Sequence, residues 1–281
     1  MKKIALLTSE TLAALIPDDS RLVSAGVEQG LDLEAVVWDQ AHDWSTFDAV
    51  LVRSPWDYVQ KKEQFVEVLR QIHEQTHLLN PLATMEWNFN KRYLLELQQL
   101  SLPVPRTVIL ERHDPVGPLV TLGREVVIKP LVSNGGFETH RLAVADAQKF
   151  EWDRLPWDTH TFMAQEFLPS ILTEGEYSLV FFGKNFSHAV RKTPRQDEFR
   201  VQDDHGGLVH AWSPTQAEIK EATHIVLRLP LPFTYCRLDL ARHSNGQLLI
   251  MEIELIEPEL FFRFAENSEL RLLAQVAKEI S

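Results

Sequence analysis

The chain has 281 residues, 44% hydrophobic and 24% charged, with a formal net charge of −12 and one cysteine. That length is more than one core usually holds, so two or three lobes are expected, and the acidic balance argues against a nucleic-acid partner. The lone Cys236 excludes an internal disulfide framework and a cysteine-based zinc site. No apolar run approaches a membrane span, and Met1-Lys2-Lys3 leads into a strand-like segment, so a cytoplasmic protein without a membrane partner, monomer or homodimer, is expected.

In chain order, Lys3–Thr8 is a short apolar run that reads as a buried strand. A helix over Asp19–Gln29 follows, with Leu22, Val23 and Val27 at helical spacing and Gly30 where a helix end favours one. Leu33–Trp38 and Ala49–Arg53 read as strands, and Val59–His73 as a helix with Phe65, Val68, Leu69 and Ile72 on one side. The alternation predicts a small parallel α/β lobe, without the Gly-x-Gly-x-x-Gly fingerprint of a dinucleotide site. Ligands in such lobes sit beyond the carboxyl ends of the strands, where Arg53 is placed. Arg53 is then a substrate contact or a surface residue paired with Asp57.

Asn80-Pro81 breaks the pattern. Asn88 and Asn90 are candidate caps for a helix over Lys91–Leu100, which Pro103 and Pro105 end. Lys91 near a helix start opposes the macrodipole, which hints at a task or reflects an ordinary surface lysine. Glu125–Pro130 reads as a buried strand ending in Lys129, followed by Ser133-Asn134-Gly135-Gly136. Lys129 is either a snorkelling edge lysine or a phosphate clamp; the adjacent glycines, whose backbone N–H groups can approach phosphate oxygens, favour the clamp.

Thr161–Phe167 leads into Leu168-Pro169, and strands are expected at Tyr177–Phe182 and Phe186–Arg191, with Glu176 just before the first. Arg191, Arg195 and Arg200 follow, then Gly206-Gly207. Ser213-Pro214-Thr215-Gln216 reads as a helix start with Ser213 as its cap. Thr234–Ala241 and Gln247–Glu254 flank Asn245-Gly246, a strong hairpin signal. A two-residue turn there sets Asp239 opposite Glu252 and Arg237 opposite Glu254, and leaves Leu238, Leu240, Met251, Ile253 and Leu255 on a core face. Facing carboxylates repel, so this is a solvated acidic face or the seat of a divalent cation completed by phosphate oxygens. Glu259–Ile280 reads as a closing helix.

Taken together, Lys91, Val-Ile-Lys129-Pro with its glycine loop, Met-Ala-Gln-Glu-Phe-Leu168, Gly-Glu176-Tyr, Phe-Arg200, Gly206-Gly207, Leu-Asp239 and Met-Glu252-Ile-Glu254 resemble the ATP-grasp superfamily, specifically the glutathione-synthetase-like carboxylate–amine ligases. The resemblance runs from about Lys91 to the C-terminus, with Lys3–Arg53 similar to the family's preceding lobe. It implies an α/β (α+β) fold in three lobes: a Rossmann-like lobe over 1–88, a small lid lobe over 89–164, and an antiparallel-sheet lobe with the metal site over 165–281. The implied cofactors are ATP and Mg²⁺, with Mn²⁺ as an alternative. Lys91 and Lys129 would hold phosphates under the loop carrying Asn134, Gly135 and Gly136; Gln165, Glu166, Phe167 and Leu168 would meet adenine, and Glu176 the ribose. Asp239, Glu252 and Glu254 would hold the metal, although many relatives carry Asn where this chain has Glu254. Arg200 and Lys129 would act on the transferred phosphoryl group, and Arg53, Arg191 and Arg200 on small-molecule carboxylate and amine substrates. The implied reaction activates a carboxylate as an acyl phosphate and yields an amide, ADP and phosphate. A phosphotransferase and a non-catalytic nucleotide-binding module are the competing readings. Val52–Tyr58 and Glu254–Phe262 are similar to the subgroup containing the cyclo-ligase of cycloserine biosynthesis, which implies a small amino-acid-derived substrate.

Overall fold

A computed structural model describes residues 1–202 and 204–281. The chain begins with β1 (Lys2–Thr8), α1 (Pro17–Glu28), β2 (Leu31–Val37), β3 (Ala49–Ser54), α2 (Lys62–Gln75) and β4 (His77–Leu79). These strands form a parallel sheet in the order β2-β1-β3-β4. One face (Ile4, Leu6, Leu51) packs against α1 and the C-terminal helix, the other (Ala5, Leu7, Val50) against Phe65, Leu69 and Ile72 of α2. Helix α1 turns differently from expectation: Leu22, Ala25 and Gly26 are buried, while Val23 and Val27 are exposed.

Two short helices follow, α3 (Leu82–Asn88) and α4 (Tyr93–Gln99), where one was expected. Asn88 is not a cap; Asn90 Oδ1 instead accepts the Arg92 amide at 3.0 Å. The second sheet is antiparallel, built from β5 (Thr107–Ile109), β6 (Glu125–Pro130), β7 (His140–Ala143) and β8 (Phe162–Glu166) in the order β5-β8-β6-β7. A seam at 164/165 would cut β8, which lies wholly in this sheet.

After the single-turn α5 (Ser170–Thr173), the third sheet comprises β9 (Glu176–Phe182), β10 (Asn185–Thr193), β11 (Leu208–Trp212), β12 (Tyr235–Arg242) and β13 (Leu248–Glu254). It is antiparallel, in the order β11-β10-β9-β12-β13. Helix α6 (Gln216–Leu227) buries Ala222, Ile225 and Val226 against one face of it, together with Leu94 and Leu97 of α4. Its capping box is Thr215 with Glu218, two residues beyond the expected start. The chain closes with α7 (Ser268–Glu279), shorter than expected because 259–267 is mostly irregular.

The hairpin pairs Asp239 with Glu252 and Arg237 with Glu254, by a route unlike the one the turn signal implies. The His243 amide bonds the Gln247 carbonyl, so the loop is Ser244-Asn245-Gly246, with Gly246 at φ 90°. Arg242 to Leu240 then pair with Leu248 to Ile250, and a bulge at Met251 restores the expected register beyond it. The bulge also changes the faces: Leu248 and Ile250 join Ile253 and Leu255 in the core, and Met251 turns to the opposite side, with Leu168, Ile171 and Leu249.

Candidate active site

The face of the third sheet away from α6 forms the floor of a cleft of about 580 Å³, roofed by the second sheet and its glycine loop and closed at one end by the first lobe. Along the floor the charges alternate. Glu176 on β9 meets Lys192 on β10 at 2.6 Å, Lys192 meets Asp239 on β12 at 3.1 Å, and Asp239 takes both Nε and Nη2 of Arg237 at 3.0 Å. Ser178 donates to Asp239 at 2.6 Å, and Arg237 also pairs with Glu254 on β13. Beside them Lys91 bridges Glu252 (3.1 Å) and the Ser133 carbonyl (2.7 Å), tying floor to glycine loop.

These contacts set the protonation states. Burial works against charge on Asp239 and Glu252, but Arg237 and Lys192 outweigh it at Asp239, and Lys91 and Lys129 at Glu252, so both are held below the ordinary carboxylate range. Burial prevails at Glu254, pushed up to about 8 against the pull of Arg237, and at Glu176, which lies above its usual value despite Lys192. Lys129 is lowered, by burial first and by Lys91 as well, although Glu252 opposes the shift.

The second sheet supplies the roof. Lys129 on β6 donates to Gln165 Oε1 on β8 at 3.3 Å, and Gln165 donates in turn to Thr107 Oγ1. Glu166 does not line the cleft; its carboxylate takes two bonds from Arg106, and its amide bonds the Arg106 carbonyl. Phe167 lines the cleft under the Arg141 guanidinium, while Leu168 is buried beneath. With Val127, Ile171 and Met251, Phe167 makes an apolar slot between roof and floor.

Asn134, Gly135 and Gly136 line the mouth. Gly136 has φ 73°, and a Cβ there would lie 3.1 Å from both Arg200 Cδ and His205 Nε2, so the loop needs glycine for conformation and for space. Asn134 donates to the Trp56 carbonyl, and His205 bonds the Gly135 carbonyl at 2.9 Å. Arg200 lines the cleft and is braced by Glu198 through two bonds of 3.1 and 2.8 Å; those bonds lower Glu198 to about 2.

Two expected substrate contacts lie elsewhere. Arg53 is fully buried off the cleft; it bonds Asp19 at 3.0 Å and the Pro258 carbonyl at 2.8 Å rather than pairing with Asp57, which accepts from Trp38 and Lys61. Arg191 is on the far face of β10, opposite Tyr177, and its neighbour Lys192 takes the cleft position. Lys192, Trp56, Tyr58 and Glu257 line the cleft without having been singled out from sequence, and Met251, expected on the core face, lines it too.

The three expected metal carboxylates share the cleft, but among the described residues no three acidic, histidine or cysteine side chains converge as a ready-made metal cage. Asp239 is buried and committed to Arg237, Lys192 and Ser178, whereas Glu252 and Glu254 keep side-chain exposures of 32% and 30%. One or two carboxylates completed by phosphate oxygens is the donor set Mg²⁺ usually takes, so the residues present fit a magnesium–phosphate group rather than a protein-only metal site.

Comparison with known proteins matches residues 90–231 to the family model described as prokaryotic glutathione synthetase, ATP-grasp domain. Residues 4–80 match the model described as D-cycloserine synthetase DcsG, N-terminal domain. The cycloserine biosynthesis protein DcsG of Streptomyces lavendulae is 27% identical, with 99% of this chain and 98% of that protein covered. A crystal structure of D-cycloserine synthetase DcsG superposes with a TM-score of 0.84 at 26% identity, covering 99% of this chain and 100% of that one. The ATP-grasp ligase PsnB, solved with its minimal precursor, Mg and ADP, shares the fold with a TM-score of 0.67 at 15% identity, over 98% of this chain and 96% of that one.

Proposed function

This chain belongs to the family of the prokaryotic glutathione synthetase ATP-grasp domain, and from that premise we propose that it is an ATP-dependent carboxylate–amine ligase acting on a small amino-acid-like substrate. The observation that carries the reading is the ladder of Glu176, Lys192, Asp239, Arg237 and Glu254 beside Lys91–Glu252, roofed by Lys129 and a glycine loop. So many opposed charges along a cleft floor suit a polyphosphate with its cations better than an apolar ligand.

ATP with Mg²⁺ supplies the phosphoryl group that turns a carboxylate into an acyl phosphate, with a good leaving group. Lys91 and Lys129 would hold phosphate oxygens, and the loop over 133–138, four of whose residues line the cleft, would keep water from the activated carbonyl. The slot of Val127, Phe167 and Met251 would take the adenine, with Gln165 beside it and Glu176 for the ribose; the backbone of 166–168 would complete that wall. Glu252 and Glu254 would hold the metal, with Asp239, already bonded to three donors, as the third carboxylate of the set. Mn²⁺, another oxygen-preferring ion, would substitute. Arg200, oriented by Glu198, neutralises the transferred group. Three lobes serve this work, with the second seam after β8 rather than within it. The enzyme acts in the cytoplasm as a monomer or homodimer; no helix among the described residues is long and apolar enough to cross a membrane.

Incubation with ATP, Mg²⁺, hydroxylamine and a panel of D- and L-amino acids tests the reading. At least one acid is expected to give a hydroxamate with matching ADP. ATP binding with neither product across the panel would overturn it in favour of a binding module, and a phosphorylated product stable to hydroxylamine in favour of a phosphotransferase.

A further inference from the structure

Five glutamates line the cleft: Glu176, Glu252, Glu254, Glu257 and Glu259. Four of them hold a lysine or arginine, through Lys192, Lys91, Arg237 and Arg263 respectively. Glu257 faces the Tyr58 hydroxyl instead. Its backbone is fixed from both sides: Trp56 Nε1 donates to the Glu257 carbonyl at 3.2 Å, and Arg53 donates to the next carbonyl, that of Pro258, at 2.8 Å. Trp56 also receives the Asn134 amide of the glycine loop through its own carbonyl, so Glu257 stands where the loop meets the first lobe. Lys91 and Glu252 line the same cleft, and their charges act on Glu257.

We propose that Glu257, held against Tyr58 in the cleft wall, is the base that accepts the proton of the incoming amine during amide formation. This rests on the ligase reading and adds a residue to its second half. The incoming ammonium gives a proton to a Glu257 carboxylate oxygen; the freed lone pair forms the C–N bond to the acyl carbon, the C–O bond to phosphate breaks with its electron pair leaving on phosphate, and the second N–H proton leaves with that phosphate. The neighbouring glutamates are unsuited to the task, since each already pairs with a lysine or arginine that occupies its oxygens. Glu257 is in a balanced setting: burial first raises its pKa, to about 7, while the Tyr58 hydroxyl and the Lys91 charge restrain the rise and the Glu252 charge adds to it. A base poised near the working pH is the one that moves protons best.

The experiment compares wild type with Glu257→Gln, using D- and L-serine, D- and L-alanine and glutamate as acids, and hydroxylamine or a second amino acid as nucleophile. Hydroxylamine is largely unprotonated at neutral pH and needs no base to free its lone pair, whereas an α-ammonium does. In the variant, amide formation is expected to fall about a hundredfold or more, while hydroxamate formation stays within about threefold of wild type. An unchanged thermal midpoint and MgATP shift show that the variant is folded. Equal loss of both products, or loss of neither, overturns the assignment of Glu257 while leaving the ligase reading in place. Absence of both products in wild type overturns the two together.

Discussion

Keeping a lysine charged inside a wall of protein costs free energy, which at Lys129 a 3.3 Å bond to Gln165 and the charges of Glu252 and Glu176 offset without preventing the lowering of its pKa. Its value must lie in what enters the cleft. Lys129→Met is therefore expected to leave unliganded stability unchanged or slightly raised, while the thermal shift on adding MgATP collapses. A ligand at a hundred times Kd stabilises by about 2.7 kcal/mol, so the loss is readily measured. A preserved shift would remove Lys129 from the phosphate site. Arg53 is the opposite case, because its guanidinium neutralises Asp19, whose burial raises its own pKa. Arg53→Ala strands a buried carboxylate and should destabilise by about 3–5 kcal/mol in denaturant titration. The double change Arg53→Met with Asp19→Leu should recover much of this. Intact stability with a raised KM for the acid would return Arg53 to the substrate.

At the scale of elements, what sequence could and could not disclose follows from two bulges. Side chains alternate along a strand, so one extra residue exchanges the faces beyond it. In the β9–β10 hairpin, Phe182 pairs with Asn185, and an unbroken register would bring Arg191 opposite Glu176; the irregularity at Ser187 gives that place to Lys192. In β12–β13 the bulge at Met251 compensates a loop one residue longer than the Asn-Gly signal suggests, so the pairing of Asp239 with Glu252 was legible and the outward turn of Met251 was not. The charged motifs of the floor and glycine loop could be read because their residue types are costly unless paired. Asn88 could not, since its partners lie 165 and 167 residues away: its side chain donates to the Ile253 carbonyl and accepts the Leu255 amide, covering the open edge of β13. Asn88→Ala should cost about 1–3 kcal/mol for the buried groups left unpaired. Hydrogen exchange at the Leu255 amide should rise more than at Leu238 in the sheet interior; equal protection in both proteins would mean that the edge does not depend on Asn88.

Across the whole molecule the lobes are joined by buried polar contacts as well as by packing, and one of these titrates. Asn80 bonds the Tyr235 and Leu255 carbonyls, and Tyr235 Oη reaches the Val52 and Ile256 carbonyls, tying the parallel sheet to both ends of the hairpin. On the other side His188 of β10 bonds the Leu260 carbonyl at 2.8 Å and Ser187 Oγ at 2.9 Å, anchoring the segment that follows Glu257. Burial lowers His188 to about 4, and the nearby Arg271 charge adds to the shift, while the Leu260 and Phe261 carbonyls and Asp18 restrain it. An unfolded histidine titrates near 6.5. Between those values the unfolded chain binds the proton and the native chain does not, so stability is fully present above about 6.5 and is lost as pH falls towards 4. The difference of roughly 2.5 units amounts to about 3 kcal/mol. His188→Gln keeps an N–H donor for Leu260 without a titrating ring, so its stability should fall less steeply over this window. Urea unfolding of both proteins at pH 7, 6, 5 and 4 measures the slopes, and parallel curves would place the acid sensitivity in other groups.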